Sequence, residues 1–384
     1  MTEAETLKTP LHALHLELGG RMVPFAGYDM PMQYPLGIMK EHLHTRARAG
    51  LFDVSHMGQV LLYPRSGDLA EAARALETLV PVDVLGLKEG RQRYALFTND
   101  QGGILDDLMV ANRGSHLFLV VNAACKKTDV SHLEDTIGAA SDSPKVEVRV
   151  VVDRALLALQ GPAAEAALAT IIPTVADMRF MDVAILTSGF GELWVSRSGY
   201  SGEDGFEISV PHEAAVDMAK ALLAHDAVAP IGLGARDSLR LEAGLCLYGS
   251  DLDNDTSPVE AALEWAIQKV RRAGGARAGG FPGAERILSE LANGAERRRV
   301  GLLPEGRAPV RGRADLFSAE ADKWPVGIVT SGAYGPSLAA PMAMGYVPGD
   351  LAAIGTRLFA EVRGKRLPVT VAAMPFVKSN YKRT

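Results

Sequence analysis

Two hydrophobic patterns alternate along the chain: short apolar runs bounded by turn residues, and longer amphipathic stretches. The first pattern is typical of β-strands and the second of α-helices. The predicted helices are 38–49, 68–80, 127–137, 212–225 and 236–243. The predicted strands are 93–98, 104–110, 116–122, 146–152, 155–160, 183–187 and 193–197. We expect Gly50 to end the first of these helices and Arg236 to begin the last.

The pattern changes after about residue 296, where short strands recur at regular spacing between Gly, Pro and Asp residues. These strands are 300–303, 326–330, 342–347, 358–362 and 366–372. They predict a small closed or nearly closed β domain. Strands and helices in the larger part do not follow a strict βαβα alternation, which favours an α+β fold over a doubly wound sheet. Residues 271–282, rich in Arg, Gly and Ala, predict a flexible connector.

Two adjacent acids, Asp106 and Asp107, interrupt the apolar strand predicted at 104–110. Aspartate is depleted in strands and is rarely buried unless it is paired. Neighbours in a strand point to opposite faces, so we expect one acid to face solvent or a turn and the other an enclosed site. Low dielectric would raise the basicity of the enclosed carboxylate, as is typical of functional sites. On spacing alone, a pair of acids protecting an edge strand from aggregation is an equally open interpretation.

Two further segments combine chemistry-bearing residues with glycine. In 198–208, Glu207 lies between two apolar residues and could bind a ligand with adjacent N–H donors, such as an aminopyrimidine. The alternative is a solvated glutamate at a hairpin tip. In 232–242, Arg236 and Arg240 lie one helical turn apart, and an arginine at a helix start is disfavoured by the helix dipole. A surface ion-pair lattice is the alternative for these arginines.

Composition narrows the function classes. The chain has 384 residues, 47% of them hydrophobic, and a net charge of −6, which argues against nucleic-acid binding. Two cysteines, Cys125 and Cys246, have no spacing for a metal site or disulfide framework, which favours a reducing compartment. No run approaches the ~18 apolar residues of a membrane span. Residues 1–20 have no targeting pattern, so we expect a cytoplasmic location, or an organelle matrix after removal of a presequence.

Histidines and basic clusters add two hypotheses. For His56 a hydrogen-bonded core histidine is favoured, and no histidine cluster has metal-binding spacing. Arg271-Arg272 and Arg297-Arg298-Arg299 are hypothesised to dock an acidic partner protein, with solvated charge as the default interpretation.

In sequence order, motifs spread over nearly the whole chain resemble the T-protein family of the glycine cleavage system, the aminomethyltransferases. The motifs are Thr9-Pro10-Leu11, Phe25-Ala26-Gly27-Tyr28, Phe52-Asp53-Val54-Ser55-His56-Met57, Gly102-Gly103-Ile104-Leu105-Asp106-Asp107-Leu108, Leu159-Gln160-Gly161-Pro162, Gly199-Tyr200-Ser201-Gly202-Glu203-Asp204-Gly205-Phe206-Glu207, Gly234-Ala235-Arg236-Asp237-Ser238-Leu239-Arg240-Leu241-Glu242-Ala243-Gly244, Leu247-Tyr248-Gly249 and Thr330-Ser331-Gly332. Tyr28 stands where the family often has Trp, and Ser201 where it often has Thr.

The resemblance implies a three-domain cloverleaf around a central channel. Two interleaved α+β folate-binding domains would occupy 1–290, divided as 1–50 with 145–290 and as 51–144, and a C-terminal β-barrel would occupy 291–384. The implied reaction moves the methylene carbon from the aminomethyl-dihydrolipoyl arm of H-protein to tetrahydrofolate. Ammonia is released and 5,10-methylenetetrahydrofolate forms, with a functional link to the P-protein and L-protein and with no metal.

The resemblance also implies site residues by position. Asp107 is the essential carboxylate, with Asp106 in support. Glu207 grips the pterin ring, and Arg236 is the substrate-site arginine. Further pocket residues are Met57, Tyr94, Val110, Asn122, Tyr200 and Tyr381. The alternatives are a folate-dependent demethylase of a small methylated compound and a folate-binding protein without catalysis, although the second has less need of Asp107.

Overall fold

Two β-sheets, a closed β-barrel and a small hairpin form the framework of the computed structural model, which describes residues 6–142 and 145–384. The strands are β1 (Arg21–Phe25), β2 (Tyr28–Gln33), β3 (Ala49–Asp53), β4 (Gly58–Pro64), β5 (Arg91–Thr98), β6 (Ile104–Asn112), β7 (Leu117–Val121), β8 (Val146–Val150), β9 (Arg154–Gln160), β10 (Val183–Ser188), β11 (Gly191–Ser196), β12 (Gly205–Pro211), β13 (Val228–Pro230), β14 (Arg297–Pro304), β15 (Asp315–Phe317), β16 (Gly327–Gly335), β17 (Ala340–Pro348), β18 (Arg357–Val362) and β19 (Lys365–Ala372). The helices are α1 (His12–Glu17), α2 (Ile38–Ala47), α3 (Leu69–Leu76), α4 (Lys126–Thr136), α5 (Ala164–Ala169), α6 (Ala215–Leu223), α7 (Leu233–Glu242) and α8 (Ala284–Asn293).

The first sheet has six strands in the order β10-β11-β12-β9-β3-β13. Its strands pair antiparallel except β13, which runs parallel to β3. Apolar residues of α1, α5 and α6 pack on the inner face of this sheet and form one core with it. The strand β12, which carries Glu207, therefore lies between β11 and β9, and most of its residues are buried.

The second sheet has five strands in the order β5-β6-β7-β4-β8, and α3 and α4 pack against it. The strand β6, which carries both adjacent acids, lies between β5 and β7. The interpretation of the acids as protection for an edge strand is therefore wrong. A further apolar cluster contains residues of both sheets, among them Phe52 and Ala158 of the first and Leu61 and Phe118 of the second, so the two sheets pack on each other.

The C-terminal strands close into a six-stranded barrel in the order β14-β17-β16-β15-β18-β19, with β14 also paired to β19. This confirms the predicted α+β fold with a C-terminal β-barrel. A buried polar contact ties the barrel to α7, because Arg240 donates to the Ser331 hydroxyl (2.8 Å) and to Asp251 (2.7 Å). The alternative of a surface ion-pair lattice is wrong for Arg240, which is buried.

The expected division into domains stays a prediction. The five-stranded sheet draws its strands from residues 58–121 and from β8, which pairs with β4. The strand β3, by contrast, belongs to the six-stranded sheet. The boundary expected after residue 144 falls at residues 143–144, which lie outside the described residues.

Every helix and strand quoted above as predicted has a counterpart, with ends shifted by a few residues, but two helix boundaries are wrong. Gly50 lies inside β3 and does not end α2. The helix α7 begins at Leu233 after Gly232, so Arg236 lies one turn inside the helix. A Cβ on Gly234 would stand 2.5 Å from Ile38, and glycine therefore lets this helix start pack closely on α2.

The connector predicted at 271–282 is fixed by ion pairs. Arg271 is buried and donates to the side chain of Glu77 (3.2 Å) and to its carbonyl oxygen (2.7 Å). Arg277 donates to the same Glu77 carboxylate (3.0 Å). These contacts link the segment to the turn after α3, which contradicts the expected flexibility.

The second basic cluster is also paired within the chain. Arg297 donates to Glu260 (2.9 Å) and Arg298 to Glu264 (2.6 Å). Arg299 is buried and donates to the carbonyl oxygen of Ala261. Carboxylates neutralise Arg297 and Arg298, so this part of the cluster offers little free charge to an acidic partner. Docking through the two basic clusters stays a prediction.

Within the described residues, no helix is both long enough and apolar enough to span a bilayer.

Candidate functional site

The carboxylate of Asp107 accepts a hydrogen bond at each of its oxygens. Asp107 pairs with Leu96 across β5 and β6, and Tyr94 lies two residues along on the same face. The Tyr94 hydroxyl donates to Oδ2 (3.0 Å), and the Nδ2 amide of Asn122 donates to Oδ1 (2.8 Å). Two neighbouring strands and the residue after β7 therefore hold this carboxylate in one orientation.

Asp106 points to the opposite face and is fully buried. It accepts the backbone N–H of Asn122 at Oδ2 (3.0 Å) and the Nδ2 amide at Oδ1 (2.9 Å). The amide of Asn122 thus bridges both acids. Strand alternation separates them as expected, but the expectation that one faces solvent or a turn is wrong, because Asp106 is in the core and Asp107 is partly buried.

The environment of Asp107 brings its titration into the physiological range. Burial is the largest cause that raises its pKa, to about 7, and the negative charge of Asp106 acts in the same direction. The hydrogen bonds from Tyr94 and Asn122 favour the ionised form and limit the rise in pKa. A carboxylate with a pKa near neutrality can accept a proton in one step and return it in the next.

A second polar group lies on the other sheet. Glu207 of β12 accepts a hydrogen bond from the Ser198 hydroxyl (3.0 Å). Burial raises the pKa of Glu207, and the positive charge of Arg236 opposes the rise. The guanidinium carbon of Arg236 lies 4.7 Å above the Tyr200 ring, in cation–π contact. In the part of the chain that the structure describes, no side chain or carbonyl forms a hydrogen bond with this guanidinium, so its donors are free for a ligand.

Tyr200 lies near both Asp107 and Arg236. Its hydroxyl donates to the carbonyl oxygen of Cys246. Burial is the main cause that raises the pKa of Tyr200, and the charge of Asp107 contributes. Burial likewise raises the pKa of Tyr94, with contributions from Asp107 and Tyr200. The site therefore lies between strands β5 and β6 of the five-stranded sheet on one side and, on the other, strand β12 of the six-stranded sheet with helix α7.

The remaining predicted residues are placed differently. Met57 is partly buried on the apolar cluster between the two sheets. Val110 shares the face of Asp106, and its side chain packs in the core of the five-stranded sheet, while Met109 lies on the face of Asp107. Tyr381 stacks on Phe180, with ring centroids 4.0 Å apart. Among residues 6–142 and 145–384, no hydrogen bond or ring contact joins Tyr381 to the other predicted site residues.

An aromatic residue missing from the sequence prediction borders the site. Trp265 stacks on Tyr94 with ring centroids 5.3 Å apart, although 60% of Trp265 is exposed. An exposed ring over a partly buried one is a surface on which a planar ligand can stack. The only sequence signal is a lone tryptophan between Glu264 and Ala266, and this alone does not distinguish a ligand platform from an ordinary surface residue.

His56 is buried as expected, between the rings of Phe25 (5.5 Å) and Tyr28 (6.3 Å). Its Nδ1 has no hydrogen-bond partner among the described residues, so the expected hydrogen bond is absent at this atom. Burial is the main cause that lowers the pKa of His56, to about 4, and the charge of Arg236 acts in the same direction. Uncharged at neutral pH, His56 adds no competing positive charge beside Arg236.

Comparison with protein families identifies close relatives along the whole chain. Residues 11–271 match the GCVT N-terminal domain, and residues 297–378 match the glycine cleavage T-protein C-terminal barrel domain. The chain is 42% identical to the mitochondrial aminomethyltransferase of Dictyostelium discoideum, across 99% of this chain and 94% of that protein. It is 44% identical to the mitochondrial aminomethyltransferase of Homo sapiens, across 97% of this chain and 91% of that protein.

A solved structure agrees with these matches. The crystal structure of the glycine cleavage system aminomethyltransferase T from Bartonella henselae superposes with a TM-score of 0.91 at 42% identity. The match covers 99% of this chain and all of that chain (100%). The likeness therefore extends over both sheets and the barrel.

Proposed function

The chain belongs to the glycine cleavage T-protein family, and we propose that it is the tetrahydrofolate-dependent aminomethyltransferase of that system. In this reaction the methylene carbon leaves the aminomethyl-dihydrolipoyl arm of H-protein and joins tetrahydrofolate. Ammonia and reduced lipoyl are released, and 5,10-methylenetetrahydrofolate forms. One arrangement carries the proposal: Asp107 is held by Tyr94 and Asn122, has a pKa raised to about 7, and lies near Tyr200, over which the partly buried Arg236 stacks with its charge acting on Glu207.

Glu207 and Arg236 are proposed to bind the folate. The aminopyrimidine part of a pterin presents adjacent N–H donors, and a carboxylate accepts two of them side by side. Ser198 donates to one oxygen of Glu207, which has a second lone pair left, and the other oxygen accepts no hydrogen bond within the described residues. The donors of Arg236, which are free in the described residues, suit an acceptor or an anionic group of the substrate. Tyr94, Trp265 and the partly buried Met57 offer apolar surface for the rings.

Asp107 is proposed to act on the reacting nitrogen. As the carbon–sulfur bond breaks, the sulfur keeps the bonding electrons and the carbon becomes an iminium ion. An ionised Asp107 stabilises that positive charge and orients or deprotonates the folate nitrogen that attacks it. Loss of ammonia and attack by the second folate nitrogen complete the transfer. These steps need no covalent bond to the protein.

H-protein as the partner and the cellular location remain predictions. The curated relatives quoted above are named as mitochondrial proteins. The cytoplasmic location expected from the sequence is a separate proposal for this chain.

The direct experiment measures ammonia and methylenetetrahydrofolate from aminomethyl-loaded H-protein, with and without tetrahydrofolate. We expect both products in equal amounts when the folate is present and little turnover without it. Small methylated amines serve as the control substrates. Demethylation of such an amine, combined with no product from loaded H-protein, would favour the demethylase alternative and contradict the proposal.

The pH dependence of turnover follows from the raised pKa of Asp107. The ionised form is the active form, and its fraction falls as the pH drops through about 7. We therefore expect kcat/KM for the forward reaction to decrease on the acid side of this value. A kcat/KM profile that stays flat well below that pH would show that Asp107 is not the titrating group.

Replacing Tyr94 with phenylalanine should move this acid limb to higher pH. The Tyr94 hydroxyl donates to the Asp107 carboxylate and lowers the pKa of Asp107, so its loss raises that pKa. A hydrogen bond to a charged group corresponds to a shift of about one pKa unit or more. The kcat/KM profile of Tyr94→Phe measured beside that of the parent tests the sign, and an acid limb moved to lower pH is the opposite result.

A further inference from the structure

A third acid lies behind the pair on β6. Asp129, in the first turn of α4, is 2% exposed, and its Oδ2 accepts no hydrogen bond within the described residues. Its carboxyl group lies within hydrogen-bonding reach of Asp106, which is itself fully buried. Two carboxylates in contact and away from water cannot both ionise at low cost. The Asp106–Asp129 pair therefore holds one proton.

The hydrogen bonds decide which acid holds it. Asp106 accepts two N–H groups of Asn122, at 3.0 and 2.9 Å, and the Cys125 thiol is also within hydrogen-bonding reach. Donors of this kind favour an ionised acceptor. Asp129 lacks such a donor at Oδ2 in the described part of the chain. The proton therefore belongs on Asp129.

The surroundings of Asp129 act in the same direction. Within the described residues, the titratable groups that interact with it are Asp106 and Asp107 from β6, Cys125 from the start of its own helix, and Tyr248 from the segment after α7. Each of these four side chains is neutral when protonated and negative when deprotonated, so none of them can place a positive charge beside Asp129. Burial is the largest cause that raises the pKa of Asp129 well above the ordinary aspartate value, followed by the charge of Asp106.

We propose that Asp129 is a positioning residue for the transfer reaction: as a neutral acid it donates to Asp106, which holds the Asn122 amide against Asp107. The amide nitrogen lies 2.9 Å from Asp106 Oδ1 and 2.8 Å from Asp107 Oδ1, so the orientation of one acid is passed to the other. A neutral Asp129 also keeps a further negative charge away from Asp107. The inference rests on the proposed role of Asp107.

Two variants test the role in turnover. Asp129→Ala removes the donor to Asp106, and we expect kcat to fall about tenfold while KM for tetrahydrofolate stays nearly unchanged. Asp129→Asn keeps an N–H donor without a charge, and it should recover most of the turnover lost in Asp129→Ala. The acid limb of Asp129→Asn should coincide with that of the parent, because no charge has been removed. Circular dichroism and thermal unfolding show whether each variant is folded.

Two results would overturn the proposal. Parent-like kcat and pH dependence in folded Asp129→Ala would remove the positioning role. An acid limb moved to lower pH in Asp129→Asn would show that Asp129 is charged in the parent and that its charge had raised the pKa of Asp107. If Asp129→Ala does not fold, the pH profile of Asp129→Asn still decides.

A measurement without substrate separates this proposal from the proposed function. At about pH 8, between the titrations of Asp107 and Asp129, infrared spectroscopy should detect a protonated carboxyl group in the parent. The band should be lost in Asp129→Asn and kept in Asp107→Asn. A parent spectrum without an Asp129-dependent band contradicts the protonation. If the band behaves as expected but Asp107→Asn retains full turnover, the role of Asp107 fails while the protonation of Asp129 stands.

Discussion

Replacing Asp107 with asparagine should lower turnover by about 10²–10⁴-fold, the range typical for loss of a general acid–base group, while folate binding is largely retained. Asparagine has nearly the same shape and can still accept the hydrogen bond of Tyr94 at its oxygen. It carries no charge to stabilise an iminium ion and accepts no proton from a folate nitrogen. The expected loss is therefore in kcat, with little change in the dissociation constant for tetrahydrofolate.

Single-turnover kinetics with loaded H-protein, together with calorimetric titration of tetrahydrofolate, test this expectation. Asp100→Asn is a matched control, because Asp100 is an exposed acid in the turn just before β6. The control should behave like the parent in both measurements. Turnover of Asp107→Asn equal to that of the parent would refute the assigned role. The acid limb near pH 7 should also be absent from the residual activity of Asp107→Asn.

Replacing Glu207 with alanine should weaken tetrahydrofolate binding by ~1–3 kcal/mol, the cost of leaving buried donors without an acceptor. The change removes the acceptor proposed for the pterin N–H groups. It also leaves the charge of Arg236 without its nearby counter-charge. Both effects act on the bound state, so we expect the dissociation constant to rise more than kcat falls.

Isothermal titration calorimetry measures this effect directly. Glu207→Gln keeps one acceptor oxygen but no charge, and its affinity should lie between those of the parent and Glu207→Ala. Glu213→Ala is the control, since Glu213 is exposed just beyond the end of β12. Unchanged tetrahydrofolate affinity in Glu207→Ala would mean that the pterin does not contact this carboxylate.

Local pattern predicted the strands well because strand formation depends on alternation and turn residues that are neighbours in sequence. The strand predicted at 104–110 is found as β6, and all five barrel strands quoted above are present. Alternation also predicted correctly that Asp106 and Asp107 point to opposite faces. The sequence pattern predicted the start of α7 wrongly, because Gly232 and Gly234 are typical of a loop. In the structure these glycines allow the start of the helix to pack closely on β2 and α2.

Family resemblance, and not spacing, selected most of the candidate site. The structure brings Tyr94, Asp107 and Asn122 into contact on one sheet and Tyr200, Glu207 and Arg236 together beside them. Trp265 and Asp129 were missed because each is an ordinary residue of a loop or helix until its neighbours are known. Arg271 was misjudged for the same reason, since its partner Glu77 is far away in sequence.

By itself, the sequence determined the α+β content, five of the six C-terminal barrel strands and the opposite orientation of the two acids, because these follow from side-chain spacing along a local backbone. Only the tertiary structure decided that Asp106 is enclosed and that Asp107 borders the site. Burial and hydrogen bonding decide this, and the hydrogen-bonding groups come from distant segments, Tyr94 from β5 and Asn122 after β7. Their convergence sets the pKa of Asp107, and spacing along one strand carries no information about it.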